Sequence, residues 1–464
     1  MGRIDRAAPS RNLAAQATAS AGPSGARMTP VVLTLDQELA LAQIVAAQGG
    51  GNHHLLTGYA GSGKTTLMQD VVREFSRQRL DLAVSAPTHK AVAVLRRKLA
   101  EAGLADAPCS TIHKLLGLRV CVDGAGTKLE HSDSSKSVDA QVVIVDECSM
   151  LDAELMWHIR QTLGHCFVLF VGDPAQLPPV GEIASNSFGT RSRSHLDTIV
   201  RQAAGNPLLD AAHVIRQSQG GPLDWSWCRS AKAPPMGVFV PERPDAWLRH
   251  AFMSTAFQAD NDAFRYLCWT NERVAEVNLK VRRWLYGDIE EPFAVGERAL
   301  LRSPLFVGEV QVFSTNEEAK VLAIKASHFS FPFEKTEAHG SWGAVLASWE
   351  VTLEAPGGGG LPVHMARSQR DLDCIDERLR HEAKASPLRW TERFAFNRAL
   401  ARLQSVYALT VHCAQGSTFR TAFVDVGDIR RRAKSNPLEC QQLLYVAATR
   451  PSESLVLVGA GDAA

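Results

Sequence analysis

From Thr34 onward the apolar positions of the chain follow two alternating patterns. Asp36–Ala47, Lys64–Arg77 and the stretch leading to Leu99 carry apolar residues at helical spacing. His54–Thr57, Leu82–Ala86, Val142–Val145 and Phe167–Val171 are short, largely apolar runs that end in turn residues. Such runs suit central strands of a parallel sheet covered on both faces. Strands alternating with helices predict a doubly wound α/β domain. A second block repeats the pattern, with strands expected at Tyr266–Thr270, Val406–Thr410, Ala422–Val426 and Ser454–Val458, and helices at Glu272–Trp284 and Glu439–Ala448. Residues 297–400 between them read differently. They offer strands at Val310–Phe313 and Ala319–Ile324, and a hairpin of Ser348–Leu353 with Leu361–Met365 around Gly357–Gly360, hence a small β insertion with a charged helical segment. A shorter insertion at 117–140 places Leu118–Val122 and Thr127–Glu130 around Asp123-Gly124-Ala125-Gly126, another hairpin signal.

Composition narrows the class. The chain has 464 residues, 45% hydrophobic and 21% charged, which excludes a chain disordered throughout. No apolar run approaches the roughly 20 residues of a membrane span, so no membrane partner is expected. A net charge of +1 argues neither for nor against nucleic acid, because a local field decides that contact. Nine cysteines without a CxxC pair point to a reduced, intracellular compartment and away from zinc. Residues 1–30 are rich in Ala, Ser, Gly and Arg and lack an apolar core; they read as a disordered tail outside the fold.

The chemistry is concentrated in three stretches. Gly58-Tyr59-Ala60-Gly61-Ser62-Gly63-Lys64-Thr65 fits G-x-x-x-x-G-K-[ST] between a strand and a helix. The glycines let backbone N–H groups wrap phosphate oxygens, Lys64 reaches the β- and γ-phosphates, and Thr65 holds Mg²⁺. Gly58, Ala60, Gly61, Ser62, Gly63, Lys64, Thr65 and Thr66 are therefore the candidate ATP-binding residues. Val142-Val143-Ile144-Val145-Asp146-Glu147 ends an apolar strand in two acids. Asp146 suits the Mg²⁺ shell and Glu147 the activation of the attacking water. Gly172-Asp173-Pro174-Ala175-Gln176-Leu177-Pro178-Pro179 follows the next strand. There Gln176 suits γ-phosphate sensing, and a Pro-stiffened loop is an equal reading.

Taken together and in order, these blocks resemble superfamily 1 helicases, and within them the B subgroup of the RecD and phage Dda type. The resemblance runs from Thr34 to Gly459. It implies two RecA-like domains, 31–190 and 191–296 plus 401–464, with a hairpin pin at 117–140 and a Src-homology-3-like barrel at 297–400. Gln37 matches the adenine-reading position. Pro87, Thr88, His89 and Lys90 match one motif for single-stranded DNA, and Thr111 and His113 the next. Val200-Arg201-Gln202 resembles the arginine-bearing motif after the first domain. Thr410, His412, Gly416 and Ser417 belong to the late motif linking DNA and nucleotide. Leu444-Tyr445-Val446-Ala447-Ala448-Thr449-Arg450 resembles the final motif. A guanidinium brought from a second domain stabilises charge on the transferred phosphoryl group, the role implied for Arg201 and Arg450.

Two departures stand out. His412-Cys413-Ala414-Gln415 replaces the family's usual Lys then Ser between His and Gln, and Pro451 follows Arg450 where a small residue is usual. The resemblance implies an ATP- and Mg²⁺-dependent, monomeric DNA helicase. It would move 5′-to-3′ on single strands and act at junctions with duplex DNA, with a single-strand binding protein or replisome component as candidate protein partner. A translocase that strips proteins without unwinding, an ATP-gated nucleic-acid clamp and an RNA-directed motor remain the alternatives.

Overall fold

The computed structural model describes residues 33–50, 53–123, 126–131, 138–198, 206–218, 237–308 and 310–460. The expected tail 1–30 and Arg201 lie outside these residues. Strands β1 (His54–Gly58), β2 (Leu82–Ala86) and β3 (Cys109–Thr111) come first. An antiparallel pair follows, β4 (Leu118–Asp123) and β5 (Gly126–His131), then β6 (Val142–Val145), β7 (Phe167–Gly172) and β8 (Ser192–Leu196). All but β4 and β5 form one parallel sheet, in the order β3-β2-β6-β7-β1-β8. β6 and β7 are buried along their whole lengths, as strands covered on both faces must be.

The edge strand β8 reads Ser-Arg-Ser-His-Leu, with no apolar run to announce it. Its polarity answers a neighbour. The buried His54 ring on β1 bonds the Ser192 and Ser194 hydroxyls through its two nitrogens, at 2.7 and 2.8 Å. Because β8 pairs with β1, this sheet extends past the expected boundary at 190, to Leu196.

The second parallel sheet is assembled from distant pieces. β9 (Gly237–Phe239) and β10 (Phe264–Cys268) precede a large antiparallel excursion. That excursion contains β11 (Arg298–Leu301), β12 (Leu305–Val307), β13 (Val310–Phe313), β14 (Glu318–Phe333), β15 (Trp342–Glu354), β16 (Gly360–Ala366) and β17 (Leu403–Ser405). The chain then returns with β18 (Ala408–Thr410), β19 (Phe419–Asp425) and β20 (Pro451–Val458). The second sheet runs β18-β10-β19-β20-β9, and the excursion β16-β15-β14-β11-β17. β17 pairs with β11, so the excursion's sheet reaches past the expected limit at 400.

The β14–β15 ribbon is longer than the alternation suggested. β14 continues to Phe333 and pairs there with Trp342. Phe331 and Phe333 extend the ribbon because they pack on Phe396 of the helix Pro387–Ala399, with ring centroids 5.7 and 5.9 Å away.

Candidate nucleotide and nucleic-acid site

The phosphate loop starts where β1 ends. Gly61 and Gly63 take φ of +84° and +80°, a region that glycine enters without a Cβ penalty. A Cβ at Gly58 would meet Ser62 Oγ at 2.5 Å, so the turn closes tightly at its entry too. Lys64 Nζ donates to the Gly58 and Tyr59 carbonyls, at 2.5 and 3.0 Å. Ser62 Oγ is buried without a hydrogen-bond partner. An orphaned hydroxyl inside a curl of backbone donors fits a phosphate group. Thr65 and Thr66 open the helix Lys64–Arg77 just behind. Gln37 is buried beside the loop: its carbonyl accepts the Thr34 N–H (2.9 Å), and its amide donates to the Ser62 carbonyl (3.3 Å).

Asp146 and Glu147 sit at the carboxyl end of β6, facing that loop. Glu147 holds φ +53°, costly for a residue with a Cβ, and its N–H donates to Asp146 Oδ1 at 2.9 Å. Backbone strain of this kind concentrates at working sites. Burial pushes both carboxyls above the ordinary range; Asp146 pushes Glu147 further, while Lys98 and Lys64 pull Asp146 back. Thr65 and Asp146 make a hard oxygen pair of the kind Mg²⁺ takes together with water and phosphate. Lys98 Nζ, 3.4 Å from Thr65 Oγ1, carries positive charge into the same place; no motif pointed to it.

The second sheet reaches into this cleft through two stretches. In the helix Pro437–Ala448, Tyr445 Oη donates to Asp173 Oδ2 (2.7 Å) and accepts the Ala60 N–H of the phosphate loop (2.9 Å). Arg450 follows that helix, 7% exposed. Its guanidinium donates to the Val446 carbonyl (3.0 Å), the Ser417 carbonyl (3.2 Å) and Thr449 Oγ1 (2.9 Å). Gln415 Nε2 donates to Gln176 Oε1 (3.2 Å) and to Ser149 Oγ (3.4 Å), tying the two candidate coupling segments together. Arg216, on the helix Pro207–Gln217, stacks 3.5 Å over the Tyr59 ring. Tyr445, Asp173 and Gln415 lie inside motifs already quoted, yet their partners are far away in sequence, so spacing could not assign their roles.

The candidate nucleic-acid residues fall into two groups. Thr88, Thr111 and Thr410 each end or follow a parallel strand and cap the next helix, accepting the N–H of Ala91, Lys114 and Cys413 respectively. A hydroxyl that accepts from backbone keeps its own O–H to donate. Burial holds the imidazoles of His113 and His412 beside them below the ordinary histidine range. Pro87 is half-buried at the same strand end, and Ser417 is buried with its Oγ unpartnered.

His89 and Lys90 are differently engaged. His89 Nε2 bonds Ser314 Oγ at 2.9 Å, and Lys90 Nζ pairs with Glu318 at 2.5 Å, so both hold the first sheet to the β excursion. Gly416, assigned from sequence to the nucleotide, takes φ +74° with its Cα face against Ala91 and Thr88; a Cβ there would meet Ala91 Cβ at 3.1 Å.

Glu318 also faces Arg298 (2.8 Å) and Arg265 (3.7 Å). Burial works against its charge, but Lys90, Arg265 and Arg298 outweigh it and hold the carboxyl at about 2. A folded-state value below the unfolded one adds stability that is complete above the unfolded value and disappears as pH falls towards the folded one. Wild-type protein should therefore lose stability steeply between about pH 5 and 2. Glu318→Gln should be about 3 kcal/mol less stable at pH 7 and show a shallower acid slope. Denaturant midpoints across that range measure both, and parallel curves for the two proteins would contradict the assignment.

Comparison with known proteins agrees with this layout. The family described as AAA domain matches residues 32–227, and the UvrD-like helicase C-terminal domain matches 405–458. The ATP-dependent DNA helicase dda of enterobacteria phage T4 is 24% identical over 90% of this chain and 97% of its own. The ATP-dependent RecD2 DNA helicase of Deinococcus radiodurans is 26% identical over 91% of this chain and 49% of its own. A crystal structure of Bacteroides Pif1 bound to single-stranded DNA covers 92% of both chains at 17% identity, with a TM-score of 0.49. Two parallel sheets closing on a phosphate loop, matched by an AAA domain and a helicase C-terminal domain, define a P-loop ATPase of the helicase class. Within that class the chain is similar to superfamily 1 helicases, in the B subgroup of the RecD and Dda type. No helix among the described residues is long and apolar enough to cross a membrane.

Proposed function

We propose that the protein is an ATP-driven motor that moves 5′-to-3′ along single-stranded DNA and unwinds duplex ahead of it. The observation that carries this reading is the stretch Thr410–Ser417. Its first residue caps a helix at the candidate strand site, and Gln415 within it touches Gln176 at the candidate ATP site. Closing or opening the cleft must move both ends together, which is what coupling hydrolysis to a step requires.

In this reading Lys64, Ser62 and the loop N–H groups bind the phosphates of ATP, and Gln37 fixes the loop beside the base. Thr65 and Asp146 hold Mg²⁺, which supplies charge neutralisation on the phosphate oxygens. Glu147 takes the proton of the attacking water and Gln176 orients it. Arg450, released from its carbonyls as the cleft closes, meets the charge developing on the transferred group, with Arg201 as the second arginine. Thr88, Thr111 and Thr410 donate to backbone phosphates, a grip that reads no sequence. The β4–β5 hairpin is the wedge, and the β11–β17 excursion is the barrel beside the DNA path. The resemblance supports monomeric action and partnership with a single-strand binding protein or replisome component.

Strand displacement tests the reading. With Mg²⁺ and ATP, a duplex with a 5′ tail should be separated and one with a 3′ tail should not, and Lys64→Ala should separate neither. Release from the 3′-tailed duplex would reverse the polarity. DNA-stimulated hydrolysis without release from either would favour a translocase.

A further inference from the structure

We propose that Arg302 is a phosphate-contacting residue of the single-strand site and supplies the positive charge that the late motif lacks at Cys413. The inference rests on the DNA-motor reading above and adds a residue to it from outside every motif.

Cys413 stands where the family usually has a lysine, on the short helix Val411–Ala414 capped by Thr410. Arg302 lies 111 residues away in sequence, immediately after β11, yet its Nη1 sits 3.0 Å from Cys413 Sγ. Its remaining contacts are weak and neutral: Nη1 to Asn316 Oδ1 and Nη2 to Asn271 Oδ1, both at 3.4 Å. Among the described residues no ion pair reaches it. Arg298, at the start of β11, shows the contrast, being tied to both Glu318 and Asp262. A half-buried guanidinium without a carboxylate is an incomplete arrangement; its charge is left for something else.

The surroundings favour an anion. β10 and β18 are neighbours in parallel register, Cys268 beside Thr410. Both strands run into helices, and Arg302 touches the first helical residue of one, Asn271, and the half-buried Cys413 of the other. Asp428 accepts the Trp269 and Thr270 N–H groups at the first of these turns, whereas the Thr410 turn is capped by the Thr410 hydroxyl and carries no carboxylate in these bonds. The Arg302 guanidinium, placed against Cys413 beside this turn, then offers bidentate charge to a phosphodiester from the β excursion rather than from the motif. A lysine at 413 would place a like charge against the guanidinium, so the cysteine and the arginine replace the lysine as a pair.

The test is fluorescence anisotropy of a fluorescein-labelled oligothymidylate, titrated at several KCl concentrations without nucleotide, on wild-type protein, Arg302→Gln and Arg302→Gln/Cys413→Lys. Glutamine removes the charge and leaves a shorter, polar side chain. Arg302→Gln should bind about ten-fold more weakly at low salt. Its plot of log affinity against log salt should be flatter by about 0.7. Adding Cys413→Lys should restore both. Unchanged affinity and slope in Arg302→Gln would overturn the proposal. So would weaker binding with an unchanged slope and no restoration, the signature of a purely structural residue. Wild-type protein that fails to bind the probe would instead overturn the DNA reading itself. Melting temperatures of all three proteins identify any variant that fails to fold; Arg302→Lys, which keeps the charge and should keep the slope, then takes its place in the comparison.

Discussion

Replacing Arg450 with alanine is expected to slow ATP turnover by about 10³- to 10⁵-fold while leaving nucleotide binding nearly intact. The guanidinium is buried but held entirely by neutral acceptors: the Val446 carbonyl and Thr449 hydroxyl of its own segment and the Ser417 carbonyl of the late motif. Burial lowers its hold on the proton; Glu147 and Asp173 across the cleft and Tyr445 on the preceding helix offset part of that, which places the charge at the site without an ion-pair bond. Such a group contributes little to the ground state and much to a transition state whose negative charge grows towards it. Arg450→Lys should recover little, because an ammonium lacks the planar fork that the three present acceptors already orient. Steady-state hydrolysis with single-stranded DNA, alongside binding of a fluorescent ATP analogue, separates the two effects. Turnover within ten-fold of wild type would remove Arg450 from the mechanism, and loss of analogue binding would make it a structural residue.

Much of the fold could be read because parallel strands covered on both faces leave unbroken apolar runs. Leu82–Ala86, Val142–Val145 and the helix Lys64–Arg77 have the bounds that the pattern predicts. The strands that escaped are those whose neighbours satisfy something other than apolar packing. β8 is polar because His54 needs its serines. β3 and β9 are too short to show a period. The far end of β14 did carry a signal: Phe329, Phe331 and Phe333 alternate strictly, although Pro332 within them argued against a strand.

The site divides along the same line. The phosphate loop and the β6 acids are local in sequence, so their chemistry shows in a few consecutive letters. Tyr445 with Ala60 and Asp173, Lys90 with Glu318, and Arg302 with Cys413 join residues more than 100 positions apart. No periodicity encodes such pairs. Lys90 is the instructive case: a cation in a motif read from sequence as contacting DNA neutralises a buried acid of another sheet, so its charge is already engaged.

Glu147→Gln should be the second severe loss, about 10²- to 10⁴-fold in turnover, with ATP and DNA both still bound. The substitution changes one atom in a side chain whose backbone is already committed: φ stays at +53°, fixed by the N–H bond to Asp146 Oδ1 and by the following turn Cys148–Met150. Asp146 and Thr65 are untouched, so the oxygens proposed to hold Mg²⁺ stay in place. Only the capacity to take a proton goes. In wild type that capacity is raised by burial and by the adjacent Asp146, both of which strengthen the carboxylate as a base, while Arg450 and Lys64 moderate the effect. The variant should therefore accumulate with ATP bound and the cleft closed. Because Gln415 links the nucleotide side to Thr410, its grip on single-stranded DNA in ATP should differ from its grip without nucleotide, and that difference should persist for the length of the experiment rather than decay with hydrolysis. Rapid-quench hydrolysis and time-resolved anisotropy of a labelled oligothymidylate read the two quantities separately. A variant that still hydrolyses ATP within ten-fold of wild type would transfer the proton-accepting role elsewhere in the cleft. One that stops hydrolysing but holds DNA identically with and without ATP would break the proposed link from Gln176 through Gln415 to the strand site.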